Sequence, residues 1–208
     1  ATLMQRLPPL RYVVGNSFDL RTGQRLDMDA EKRRLESAGY RNVPQVLDPG
    51  DFAVRGALID IFPMGSADPY RIELFDEEVD SIRSFDAETQ RSKERVESVR
   101  LLPAREFPLD DASARRVREI LRERFPIDPR RCALYQDLKE GVAPAGIEYY
   151  LPLFFEDGGE AGTGTLFDYL APGALSVLAD GVFDASTAFW AQTGERYEQR
   201  RHDVERPL

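Results

Sequence analysis

The sequence predicts an α+β fold: an antiparallel sheet meander with one helix packed on it, followed by a mostly helical part. Three features carry that expectation. A stretch of helical spacing near the N-terminus is bounded by a cap and a glycine stop. A run of short alternating segments follows, punctuated by Gly, Pro and Asp. Beyond Pro103 the spacing returns to that of helices.

Residues 1–16 read as a connector, with Pro8-Pro9 leading into a strand-like Tyr12-Val13-Val14 and then Gly15-Asn16. Asp27 is placed to cap the helix MDAEKRRLESA, because its carboxylate can accept from the free amides of the first turn. Gly39 sits where a left-handed stop is needed. Met28, Leu35 and Ala38 then share the buried side. The segments PQVL, FAVRG, ALIDIF, YRIELF, VDSIRSF and ESVRLLP read as strands, with turns at Met64-Gly65-Ser66 and Asp76-Glu77-Glu78. In ALIDIF, Ala57, Ile59 and Ile61 make one face and Leu58, Asp60 and Phe62 the other. Pro63 ends that strand, and Gly56 marks a bulge or a close backbone approach. In YRIELF the inward set is Tyr70, Ile72 and Leu74, which leaves Arg71, Glu73 and Phe75 outside. Arg71 and Phe75 then lie about 13 Å apart along one face, close enough for a single partner to touch both.

In the second part, Asp110 or Asp111 caps a helix, ASARRVREILRERF, with Val117, Ile120, Leu121 and Phe125 at helical spacing. A short helical segment near CALYQDLKEG, the aromatic-rich GIEYYLPLFF and the strand-like ALSVLA come next. A last helix, capped by Asp184, carries Phe189, Trp190 and Tyr197.

Composition excludes several chemistries. With 37 acidic residues against 28 basic, the net charge of −9 gives no general attraction to nucleic acid or to an anionic membrane. From Glu140 to Glu195 there are nine acidic residues and no Lys or Arg, so that segment would repel a phosphate backbone. Cys132 is the single cysteine and His202 the single histidine, which leaves no disulfide, no Cys- or His-based metal cluster and no Ser-His-Asp triad. No apolar run approaches a membrane span and no signal peptide opens the chain, so a cytoplasmic location is expected. The cluster GGEAGTGT, Gly158 to Thr165, lacks the Lys of a phosphate loop and reads as a flexible surface loop. The acidic run Asp76, Glu77, Glu78 and Asp80 reads as a solvated hairpin tip. Asp60, inside an apolar strand, needs a cationic partner, which Arg71 or Arg83 can supply.

The ordered motifs FAVRGALIDIFPMGS and PYRIELFDEEVDSIRSFDAETQRS resemble the domain shared by the excision-repair protein UvrB and the bacterial transcription-repair coupling factors. DAETQRS, LLPAREFP and PAGIEYYLPLFF are similar to the coupling factors rather than to UvrB. The resemblance implies three parts: residues 1–16 ending one half of a degenerate helicase-like domain, residues 17–103 forming a UvrA-interaction domain like UvrB domain 2, and residues 104–208 as the returning α/β half. It implies UvrA as the partner, with Arg55, Arg71 and Phe75 at the positions that contact UvrA in the family. It places no cofactor or metal in these residues. It further implies that ATP and Mg belong to a downstream motor of the parent protein, which is expected to displace stalled RNA polymerase at lesions and hand the site to excision repair. By the same resemblance, RNA polymerase and duplex DNA are expected to be bound by other domains of that parent, and its C-terminal domain to mask the UvrA surface. The alternative is a DNA-contacting part of a UvrB-like repair protein. On this reading the chain itself is not an enzyme, and truncating Arg71 or Phe75 abolishes UvrA binding with the fold intact.

Overall fold

The computed structural model describes residues 2–157, 160–203 and 205 and divides into two compact units. One is Arg11–Glu106; the other joins residues 1–10 to residues 107–208, so the first is inserted in the sequence of the second.

The inserted unit opens on α1 (Leu10–Gly15), where the sequence suggests a strand. The three apolar residues there find no partner strand. The turn is closed locally instead: Ser17 Oγ donates to Val13 O at 2.5 Å and Asn16 Nδ2 to Tyr12 O at 2.8 Å. Then come β1 (Phe18–Arg21), α2 (Met28–Ser37), β2 (Arg41–Asn42), β3 (Asp51–Arg55), β4 (Leu58–Ile61), β5 (Tyr70–Phe75), β6 (Glu78–Phe85), β7 (Ser92–Val96) and β8 (Ser98–Leu101). Strands β2 to β7 form one sheet in sequence order, antiparallel except for β2, which runs parallel to β3. The segment ESVRLLP leaves the meander: as β8 it pairs with β1 in a separate two-stranded sheet.

Helix α2 begins and ends as its sequence requires. Asp27 accepts from the Ala30 amide at 2.9 Å, and Gly39 follows the helix with φ 92°, a conformation open to glycine at no steric cost. A Cβ on Gly39 would also meet the Arg105 side chain at 2.5 Å. Leu35 from this helix packs with Ile59, Ile61, Ile72 and Ile82 from the sheet and with Leu20 and Leu101 from the β1–β8 pair, all of them fully buried. Each such side chain contributes about 1.5–3 kcal/mol of burial. Ile59, Ile72 and Ile82 stand opposite one another across three strands, as alternation requires.

Some details depart from the sequence reading. PQVL is irregular backbone, and Val46 packs with Ala53, Phe62 and Phe85 in a small second core on the other side of the sheet. Gly56 is neither a bulge nor a close approach. With φ 59° and no atom within 4 Å of where a Cβ would stand, it is the first central residue of the two-residue β3–β4 turn. Ala57 is the second, exposed rather than inward. The polar strand SKERV pairs at the sheet edge as β7, where charge blunts further pairing. The entry and exit of this unit meet, since Tyr12 Oη donates to Arg105 O at 3.4 Å.

The second unit holds α3 (Asp111–Arg124), α4 (Ala133–Lys139), α5 (Leu151–Phe154), the two-residue strands β9 (Glu156–Asp157) and β10 (Glu160–Ala161), and α6 (Val182–Arg200). Val117 and Leu121 on α3 bury against Leu134 and Leu138 on α4 and against Leu151 and Phe154 on α5. The Phe107 and Phe154 rings stand 4.7 Å apart. In the glycine cluster, Gly158 and Gly159 lie outside the described residues. The rest is ordered by pairing rather than looped free: β9 pairs with β10, and the Leu7 and Gly164 backbones exchange two bonds of 2.9 Å. ALSVLA forms no ladder among the described residues, and its Leu175 and Val177 are 95% and 96% exposed. The last helix starts at Val182 behind Gly181, φ 81°, so Asp184 lies in its first turn instead of capping it. Among the described residues no helix is long and apolar enough to cross a membrane.

Two carboxylates give these units opposite responses to pH. Glu31 falls on the buried side of α2, with one oxygen 4.0 Å from Arg34 and the other without a hydrogen-bond partner. Burial raises its pKa and Arg34 opposes this only in part. Folding therefore favours the protonated form, so ionisation costs stability as pH rises through the glutamate range, and the cost is absent below it. Glu31→Gln is expected to raise Tm at pH 7 and to lose that advantage below about pH 4, as read by thermal melts across pH. Asp110 caps α3 by accepting from the Ser113 amide at 2.8 Å, which holds its carboxyl below the usual range. That contribution is present above about pH 4 and lost as pH falls through the lowered pKa. Asp110→Ala is expected to cost about 1 kcal/mol at pH 7, and the difference from wild type should shrink on acidification.

Candidate functional site

The outward face of the sheet is built by register. Arg55 stands opposite Leu58, Leu58 opposite Glu73, Asp60 opposite Arg71, and Phe75 opposite Glu78, so their side chains project on one side. A bulge in β6 preserves this arrangement. Glu73 pairs with Ser81 and Leu74 with Val79, which leaves Asp80 as the extra residue. Leu74 and Val79 thereby both reach the main core, and Phe75 and Glu78 both stay outside.

Asp60 organises the face. It is 3% exposed, and a carboxylate so buried must be paired. Of the two arginines suggested for it, Arg71 is the partner: Nε donates to Oδ1 at 2.8 Å and Nη2 to Oδ2 at 2.9 Å. This is a bidentate, charge-assisted fork. Arg71 Nη1 points to the Gln90 carbonyl at 3.4 Å, and the guanidinium carbon lies 4.9 Å from the centre of the Phe85 ring. Hydrogen bonding to Asp60 raises the Arg71 pKa above its already high ordinary value, against a smaller opposing effect of burial. Arg55 approaches the same carboxylate from β3, with Nη2 3.6 Å from Oδ2, and keeps half of its side chain in solvent.

Phe75 is 74% exposed. The reason is geometric. Strand β4 begins at Leu58, opposite Glu73, and beyond it only the Gly56-Ala57 turn flanks β5, with Leu74 N donating to Ala57 O at 2.9 Å, so no large side chain on that side covers Phe75. Beyond it the chain turns at Asp76, φ 53°, into a tip where Glu77 pairs with Arg25. Glu73, between the arginine and the ring, accepts from Ser81 Oγ at 2.9 Å.

Arg55, Arg71 and Phe75 thus share one face, as alternation suggests for the last two. Their chemical states differ: Phe75 and Arg55 are presented to solvent, whereas the polar edge of Arg71 is mostly committed to Asp60. Sequence reasoning did not find Gln90, which supports Arg71 from the β6–β7 turn. Its backbone sits at φ 59°, a conformation that no residue pattern in DAETQRS announces. Among the described residues, no group of three or more His, Cys, Asp or Glu is placed to hold a metal ion.

Comparison with known proteins gives the chain a family. The profile of the UvrB interaction domain matches residues 18–107, which contain every residue of the face. Transcription-repair-coupling factors of Haemophilus influenzae and Escherichia coli are 46% and 44% identical to the chain over all of its length, and that of Bacillus subtilis is 32% identical over 86% of it. The chain spans 18% of the length of the first two relatives and 16% of the third. The chain belongs to the transcription-repair-coupling factor family and carries its UvrB interaction domain.

Proposed function

We propose that this chain is a non-catalytic docking module that recruits UvrA through the outward face of the β3–β6 sheet. The observation that carries the reading is Phe75, a ring 74% exposed on the same face as Arg55 and Arg71. Exposed aromatic and Arg side chains are what interfaces concentrate at their hot spots, because they offer area together with directional bonding. Phe75 supplies the apolar contact and Arg55 the charge-assisted bonds to partner carboxylates. Arg71 contributes what its fork leaves free and holds Asp60, and with it Arg55, in place.

In the parent protein this module serves a larger cycle. An ATP- and Mg-dependent motor elsewhere in that parent engages duplex DNA and displaces stalled RNA polymerase, and the docking face then brings UvrA to the lesion. A C-terminal domain of the same parent covers the face until the motor engages.

The three positions are expected to separate in experiment. Phe75→Ala and Arg55→Ala remove exposed groups, so Tm should stay close to wild type. UvrA affinity, measured by calorimetry, should fall by about 2 kcal/mol or more each. Arg71→Ala should lose binding and also about 3 kcal/mol of stability, because it leaves a buried carboxylate unpaired. Adding Asp60→Ala should recover part of that stability without restoring binding. Wild-type affinity in folded Phe75→Ala and Arg55→Ala proteins would refute the reading.

A further inference from the structure

The outward face carries more cationic charge than the docking residues account for. Arg71 on β5 stands opposite Arg83 on β6, and Arg83 stands opposite Arg95 on β7, so three arginines project from one face of adjacent strands. Strands lie about 4.8 Å apart, and like charges directly opposite one another destabilise a sheet. Among the described residues, only Arg71 has a carboxylate partner in this row. Arg95 donates to the Asp80 carbonyl at 3.0 Å, and the exposed Arg83 side chain makes no hydrogen bond or ion pair among the described residues. A chain of net charge −9 thus concentrates unneutralised arginines on one face.

We infer that Arg83 and Arg95 extend the docking face to the sheet edge and meet an acidic surface of UvrA; this rests on the UvrA reading above. The sheet tolerates a repulsive row because a partner's carboxylates neutralise it on binding. Arginine suits that task through its planar fork, which carboxylates fit in pairs. An acidic protein surface fits better than a nucleic-acid backbone. Asp60 and Glu73 lie on the same face, and the acidic tip Asp76, Glu77, Glu78 and Asp80 adjoins Phe75, so a continuous line of phosphates would meet repulsion beside the row.

Stability and affinity then respond to the row with opposite signs. In the 208-residue chain, Arg83→Gln with Arg95→Gln is expected to raise Tm by about 2 °C through relief of cross-strand repulsion. The same change should weaken UvrA binding about tenfold and flatten the fall of affinity with added salt. Measuring Arg55→Ala and Phe75→Ala alongside separates the two ideas. If those variants lose UvrA and the double Gln variant binds with wild-type affinity and salt dependence, the row is no part of the interface and this inference fails while the UvrA reading stands. If none of the variants changes UvrA binding, the UvrA reading fails and this inference with it. If the double Gln variant instead abolishes an affinity for duplex DNA and leaves UvrA binding intact, the row serves nucleic acid and the inference is overturned.

Discussion

The fork between Arg71 and Asp60 is the interaction on which the outward face of the sheet depends. Asp60 is the only acidic residue in the run ALIDIF, and its burial makes an ionic partner obligatory. The β4–β5 register puts Arg71 directly opposite. A slip of one residue would turn Arg71 toward the isoleucine core and strand the carboxylate, so the pair pins the register as much as it adds energy. Arg55 leans on the same oxygen that Arg71 Nη2 holds, and the β6–β7 turn is tied in through Gln90. Folding and presentation of the face are therefore one event.

The outward face is graded along its length. Toward Phe62 and Phe85 it is sealed by the small second core, and the guanidinium of Arg71 closes that core's margin over the Phe85 ring. Toward Phe75 nothing covers it, because β4 starts late and the bulge at Asp80 keeps the hairpin end on the same side. A sheet that was uniformly closed would leave no ring exposed, and one uniformly open would lose the support that holds the arginines. The acidic tip beyond Phe75 keeps this apolar spot from inviting strand-to-strand association.

How far the sequence reveals this depends on range. Local signals were legible: the Asp27 cap, a cap for α3 at Asp110 or Asp111, the glycine stop after α2, and the alternation that separates Ile59 and Ile72 from Asp60 and Arg71. Alternation also put Phe75 outside, and it could do so because the bulge lies in β6 and leaves the phase of β5 intact. Non-local facts were not legible. Pairing chose β8 for β1 rather than for the meander, turned Tyr12-Val13-Val14 into helix, and left PQVL without a ladder. Glu31 follows Met28 on the buried stripe, and a glutamate gives no hint that it will be taken into a core. That Arg71 rather than Arg83 closes on Asp60 follows from strand order, since β5 lies beside β4 and β6 does not.

The contact between Tyr12 and Arg105 bears on how one unit can sit inside the sequence of another. A flexible insertion of residues 11–106 would impose a closure penalty on the flanking chain of about 4 kcal/mol, since the entropic cost grows with the logarithm of loop length. Here the two ends of the inserted unit are brought together by its own fold, so to the flanking chain it behaves as a short stub rather than a long tether. Evolution can then rework the inserted sheet, or lengthen its turns, with little change in the conformational entropy that the host must surrender to fold.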